Sequence, residues 1–187
     1  MSSDLSAAIK KGKVFWITGL SGAGKSTLAS ELVKQLKVQG IHPVMLDGDE
    51  LREVFGATTT NISNHGREGR LALAIQYAHL CRLIANQGFC VVIATISLFR
   101  EVHEWNRNNL PGYFEVYLRI SLEELRRRDS KGIYRRFDAG ELSNVAGLDL
   151  PIDEPEAPDL VVEFQSGRSV ADSANELITI FNARKKV

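Results

Sequence analysis

The chain has 187 residues, enough for one α/β core and not comfortably for two, so it is read as a single domain. Hydrophobic residues make up 44% and charged residues 25%, an ordinary globular balance. Lys plus Arg and Asp plus Glu are equal at 23 each, so no overall field favours nucleic acid or a membrane surface, and any phosphate recognition has to be local.

Residues 1–12 are polar and read as an N-terminal arm. No charged-then-apolar leader opens the chain and no apolar run is long enough to span a bilayer, which points to a cytoplasmic protein. Val14-Phe15-Trp16-Ile17-Thr18 is an apolar, β-prone run. It leads into Gly19-Leu20-Ser21-Gly22-Ala23-Gly24-Lys25-Ser26, the P-loop pattern G-x-x-x-x-G-K-[ST]. Apolar residues at helical spacing follow, from Lys25 through Thr27 and Leu28 to Val38, with Gly40 as the stop. A strand before and a helix after are the context the motif needs. Its glycines let successive N–H groups converge on one anion, and the helix adds the positive end of its dipole. Lys25 is expected to reach the β- and γ-phosphates of ATP, and the Ser26 hydroxyl to ligate Mg²⁺.

Pro43 to Leu46 reads as a second strand ending at Asp47-Gly48-Asp49, and Glu50 to Phe55 as helical. In a parallel sheet ligands gather at the strands' C-terminal edge, so this turn stands where the chemistry should be. One carboxylate there would accept or orient a hydroxyl proton, and Asp47 or Asp49 would join Ser26 on Mg²⁺ directly or through water. Arg52, one helical turn beyond Asp49, would fork onto an anionic group of the acceptor. Gly56 to Gly66 is too polar and turn-rich for a core element, Glu68 to Asn86 is helical, and Phe89 to Ala94 is apolar on both faces like a central parallel strand. Cys81 and Cys90 fall in apolar segments without a C-x-x-C pair and read as reduced core residues.

Phe114 to Leu118 is a fourth strand, and Ser121 caps a helix with Glu124 in the capping-box position. Arg126-Arg127-Arg128 through Lys131 to Arg135-Arg136 concentrates charge in a neutral chain and reads as a lid closing cations over phosphates. Leu160 to Val162 is the last strand, before a closing helix over about 170–183. The alternation predicts an α/β P-loop NTPase fold: a parallel five-stranded sheet flanked by helices, with a lid.

Gly19 to Thr27, Leu46 to Asp49 with Arg52, Ile96-Ser97, Arg128 to Tyr134 and Ala139 to Leu142 together resemble the adenylylsulfate kinases, in the family's order. The likeness covers nearly the whole chain after residue 12 and continues through Gly147-Leu148-Asp149 and Glu154-Pro155. It implies transfer of the ATP γ-phosphoryl to the ribose 3′-hydroxyl of a sulfated nucleotide. By that resemblance Asp49 is the base, and Gly19, Ser21, Gly22, Ala23, Gly24, Lys25, Ser26 and Thr27 hold ATP. Asp47, Arg52, Arg70, Ile96, Ser97 and Lys131 then meet the acceptor or close over it, with residues of about 129–155 forming the lid and acceptor segment. The acceptor is a small-molecule nucleotide, neither nucleic acid nor membrane is implied, and a homodimer is compatible.

The chain departs from the family on the acceptor side. The family's Phe-Ser before an Arg-x-x-Asn pair is replaced by the phenylalanine-free stretch Thr58 to Arg70, with Leu73 where the asparagine belongs. The family's Asn-Phe-Thr-Gly is Asn144-Val145-Ala146-Gly147, and its Ile-Ser-Pro is Ile96-Ser97-Leu98. Losing two aromatic walls forfeits stacking of about 1–3 kcal/mol per base. The chain is expected to keep the donor machinery with a rewritten acceptor pocket, resembling a cytidine diphosphoramidate kinase branch. Adenylylsulfate kinase proper and a non-catalytic nucleotide-binding paralogue are the alternatives.

Overall fold

The computed structural model describes residues 11–56 and 66–184. Most of the polar arm and the Thr58–His65 stretch lie outside the described residues. Twelve elements follow one another among those described: β1 (Lys13–Gly19), α1 (Lys25–Val38), β2 (Val44–Asp47), α2 (Gly48–Val54), α3 (Arg67–Asn86), β3 (Cys90–Ala94), α4 (Arg100–Asn109), β4 (Tyr113–Arg119), α5 (Leu122–Arg128), α6 (Ile133–Asp138), β5 (Leu160–Glu163) and α7 (Val170–Arg184). The strands form one sheet in the order β2-β3-β1-β4-β5. Every pairing is parallel, with Val14 opposite Val91 and Tyr113, and Asp47 opposite Ala94.

Strand alternation divides the core into two layers. Phe15 and Ile17 of β1 face α1 and α7, where Leu28, Leu32 and Leu177 are buried with them. Phe15, Phe114 and Phe181 meet at ring-centroid distances of 4.8–6.0 Å. Val14 and Trp16 face the other way, onto Tyr77, Ala78 and Cys81 of α3 and Val102 of α4. A central strand covered on both faces is why β1 and β3 read as continuous apolar runs. Both cysteines are free and buried, and burial pushes the Cys81 thiol well above its usual range. Among the described residues no helix is long and apolar enough to cross a membrane.

Helix α4 had no counterpart in the sequence reading. Its buried face carries Val102, His103 and Asn106, so apolar spacing does not reveal it. The polar side chains are buried because they are paired. His103 Nδ1 lies 2.7 Å from Glu115 Oε1, and Arg107 donates to Glu115 at 3.0 Å and to Asp159 at 2.8 Å. Arg184 also reaches Asp159, and His103 Nε2 meets the Asp153 carbonyl at 3.1 Å. This network straps residues 153–159 against the sheet, and the residues just before them, Leu150 to Ile152, line the main cavity.

Candidate active site

The cavity at the C-terminal edge of the sheet has a volume of about 660 Å³, and the P-loop forms one end of it. Gly22 and Gly24 take φ values of +77° and +97°, backbone that L side chains rarely adopt, and Gly24 is the N-cap of α1. The loop N–H groups and the helix N-terminus therefore meet at one place, a ready site for an anion. Lys25 Nζ folds back to donate to the Leu20 carbonyl at 2.8 Å. Burial pulls its pKa from 10.5 down to about 8, with Lys131 acting in the same direction and Asp49 and Asp47 opposing.

The Asp-Gly-Asp turn stands opposite. Ser26 Oγ donates to Asp47 Oδ2 at 2.5 Å, while Asp47 Oδ1 accepts the Asp49 N–H at 2.8 Å and so caps α2. That cap starts the helix at Gly48, two residues earlier than read from sequence. Asp49 bonds Lys131 of the lid segment. That hydrogen bond is the main reason its carboxyl lies below the usual range; partial burial opposes it, and Arg52 and Lys25 add to the lowering.

Arg52 and Arg70 both line the cavity beyond Asp49. Arg52 Nε is buried with no hydrogen-bond partner among the described residues. Arg70 Nη2 donates to the Asn144 carbonyl at 2.6 Å, and burial lowers its pKa, with Arg52 adding to the effect. Asp149 accepts the N–H groups of Asn144 and Val145 at 2.7 and 2.6 Å, shaping the loop into which Arg70 reaches. Leu73, Val145, Leu98 and Ile152 complete a largely aliphatic wall, as positions 73 and 145 led one to expect. The cavity is not free of rings, however: Phe99 and Tyr77 line it, only 6% and 3% exposed. Phe99 carries the Arg67 guanidinium 5.5 Å from its centroid, and Tyr77 packs 5.8 Å from the Phe55 ring, so each ring already has a neighbour within the protein.

Ile96 and Ser97 close the pocket after β3. The Ile96 carbonyl accepts from Thr18, and Ser97 sits at φ +33° with its hydroxyl 2.8 Å from that of Thr95. A non-glycine residue in that region costs about 1–3 kcal/mol and persists only where its surroundings hold it.

The adenylylsulphate kinase family model matches residues 11–163. The chain belongs to that family. It is 38% identical to the cytidine diphosphoramidate kinase of Campylobacter jejuni over 165 residues, 88% of this chain and 93% of that one. A probable adenylyl-sulfate kinase of Aeropyrum pernix is 36% identical over 163 residues, covering 84% of this chain and 86% of its own. The Mycobacterium tuberculosis APS kinase structure in complex with AMPPNP and APS superposes with a TM-score of 0.80 at 32% identity, over 92% of this chain and 98% of that one. The protein is thus an ATP-dependent phosphotransferase of the adenylylsulphate kinase family, with that family's five-stranded P-loop fold.

In this family member the basic run is mostly paired on its own surface. Arg127 and Arg128 bond Glu124 at 2.7 Å, Arg126 bonds Asp138 at 2.9 Å and Arg136 bonds Glu141 at 3.3 Å. Glu124 therefore does not close the capping box onto Ser121; only the Ser121 half forms, at 3.3 Å, and the two arginines hold its carboxyl down to about 2. Of the cations from Arg126 to Arg136, Arg128 and Lys131 line the cavity. The lid's other tie is Tyr134, whose hydroxyl donates to the Ser21 carbonyl of the P-loop at 2.8 Å. Tyr77 and Thr95 went unremarked in the sequence, and Tyr134 was named there without a role of its own. Tyr77 is hidden in the apolar face of α3, whereas Thr95, one residue past β3, lay where the strand-edge rule points.

Among the described residues no cluster of three or more His, Cys, Asp or Glu side chains is arranged to hold a metal. Mg²⁺ does not require one, since it keeps several waters and binds through one or two carboxylates plus substrate phosphates. The Ser26 hydroxyl and the Asp47 carboxylate, 2.5 Å apart at the mouth of the P-loop, are hard oxygen donors that fit that demand.

Proposed function

We propose that the protein transfers the γ-phosphoryl of Mg-ATP to the ribose 3′-hydroxyl of an anionic nucleotide, with a cytidine diphosphoramidate-type acceptor preferred to adenylylsulfate. What carries this reading is the asymmetry of one cavity: a polar P-loop and carboxylate end, and a largely aliphatic end lined also by Arg52 and Arg70, with Arg52 Nε buried and without a hydrogen-bond partner among the described residues. The naming of the Campylobacter jejuni relative supports the same acceptor class.

The P-loop amides and the residues Gly19 to Thr27 bind the triphosphate, and Lys25 leaves the Leu20 carbonyl to meet its terminal oxygens. Ser26 and Asp47 hold the metal, which neutralises developing phosphate charge when bound. Asp49 accepts the proton of the 3′-hydroxyl as that oxygen bonds the γ-phosphorus and the bond to the departing ADP oxygen breaks. For this, Lys131 moves from Asp49 onto the phosphates, which returns the carboxylate toward its ordinary basicity and shields the site from water. Arg52 and Arg70 hold the acceptor's negative group, with Ile96 and Ser97 beside it. The aliphatic residues at 73 and 145 leave a purine with little ring surface to stack on.

Initial rates with adenylylsulfate and with cytidine diphosphoramidate at saturating Mg-ATP, followed by ³¹P NMR, test the proposal. A higher kcat/KM on the cytidine nucleotide is expected. Adenylylsulfate ahead by tenfold or more would assign the chain to adenylylsulfate kinase proper, and no transfer to either would favour a non-catalytic role.

A further inference from the structure

The cavity wall contains a buried pair of hydroxyls, one on Thr95, which has no role above, and one on Ser97, placed beside the acceptor without a stated contact. Thr95 and Ser97, 5% and 6% exposed, both line the cavity, and their hydroxyl oxygens are 2.8 Å apart. Thr95 stands one residue past β3, held by its own N–H on the Ile17 carbonyl at 3.0 Å. It presses against the catalytic turn, since a methyl group added at Gly48 would sit 3.0 Å from its hydroxyl. The Gly48 carbonyl is in turn fixed by the Tyr77 hydroxyl at 3.2 Å.

Hydrogen-bonding capacity shows what such a pair can take. Two hydroxyls have two protons and four lone pairs, and their mutual bond uses one of each. One donor and three acceptor positions remain. The neighbouring carbonyls already accept from within the protein: Gly48 from Tyr77, Ile96 from Thr18, Ser97 from the Phe99 N–H, Leu98 from the Asp153 N–H and Asn144 from Arg70. Asp47 is bonded to Ser26 and the Asp49 N–H, and Asp49 to Lys131. Those carbonyls each keep a second lone pair, and Thr95 and Ser97 add three uncommitted neutral ones beside the arginine donors for anionic oxygens. Sulfate or phosphate oxygens only accept and gain little there; a group with N–H donors matches it.

We infer that the Thr95–Ser97 hydroxyl pair is a specificity subsite that accepts hydrogen bonds from an –NH₂ group of the acceptor nucleotide. This rests on the cavity being the acceptor site. The –NH₂ group has two sources, the exocyclic amine of the base or an amide nitrogen on the phosphate tail.

The test compares wild type, Thr95→Val and Thr95→Ser at saturating Mg-ATP on three acceptors: cytidine diphosphoramidate, cytidine diphosphate and uridine diphosphoramidate. Valine keeps the volume and branching of threonine but removes its hydroxyl, while serine retains the hydroxyl. With Thr95→Val, kcat/KM on cytidine diphosphoramidate is expected to fall by about tenfold to a hundredfold, the effect of leaving one buried donor unpaired. Thr95→Ser should recover most of it, and the KM for ATP should stay within about twofold of wild type because the two hydroxyls bond each other and neither bonds the P-loop or Asp47. A tail contact makes Thr95→Val erase the preference for the two amidates over the diphosphate; a base contact makes it erase the preference for cytidine over uridine. An equal loss on all three acceptors, or no recovery with serine, overturns the inference while the kinase reading stands. Failure of the wild type to phosphorylate any of the three rejects the acceptor reading itself, and the subsite with it.

Discussion

Measuring nucleotide affinity between about pH 7.5 and about pH 9.5 probes the surroundings of Lys25 directly. In the ligand-free cleft burial pulls its pKa from 10.5 to about 8. A triphosphate placed against the ammonium favours the charged form and returns the pKa toward the usual lysine range. A group whose pKa rises on binding takes up a proton, so affinity is full below the free-state pKa and is lost as pH climbs above it. At about pH 9, one unit above the free value, about nine-tenths of the free enzyme has a neutral Lys25, and the Kd for AMPPNP should be about tenfold weaker than its neutral-pH limit. A lysine with an ordinary pKa would leave the Kd within about 10% over the same interval. Titration calorimetry in two buffers of different ionisation enthalpy should give about 0.9 proton taken up per nucleotide at about pH 9. Lys25→Met should abolish both the uptake and the slope. A flat affinity with no proton uptake in the wild type would refute the reasoning, because Lys25 would then be charged at all these pH values without a ligand.

Asp49→Asn should lower transfer by about 10²–10⁴ with the KM for ATP little changed; an equal loss of ATP affinity would place Asp49 on the metal. The same change should cost little stability, because the ion pair with Lys131 is largely exposed on both sides. Arg107→Ala removes a partner from two carboxylates that are each only 3% exposed. Urea unfolding should show a loss of about 2–4 kcal/mol, toward the low end for a broken buried pair because Arg107 is itself part-exposed and Arg184 still reaches Asp159. A change below about 1 kcal/mol would mean the network is solvated. Tyr134→Phe should speed proteolysis of the 126–136 segment in the free enzyme, and Mg-AMPPNP with acceptor should slow it in both proteins; identical rates with and without ligands would indicate a rigid helix.

The donor half of the site was legible because each of its parts follows a local rule. The P-loop spacing, the strand before it and the helix after it put Lys25 and Ser26 at one anion site, and α1 runs over Lys25–Val38 as its apolar spacing indicates. The Asp-Gly-Asp turn was found because a strand end is where an α/β sheet keeps its chemistry. The acceptor half depends on contacts between residues far apart in the chain. Nothing in the local sequence says that Arg70 will reach the Asn144 carbonyl, 74 residues on, or that Phe99 and Tyr77 will enter a pocket whose facing positions are aliphatic. Helix α4 escaped for a related reason: its inward face is polar, and His103 is tolerable there only because Glu115, on another element, is beside it. The basic run shows how little composition says about individual charges. Its composition suggested a lid closing cations over phosphates, while most of its charges are matched by Glu124, Asp138 and Glu141 nearby.

The strap over residues 153–159 gives whoever would redesign this enzyme a fixed hinge to work from. Its far end is nailed down by charges that tolerate little change, and its near end, Leu150 to Ile152, is cavity wall without a catalytic duty. Side chains there line the cavity apart from the charge network that holds the strap. A library confined to those three positions, together with 73 and 145, would explore new acceptors while the P-loop sequence stays as it is.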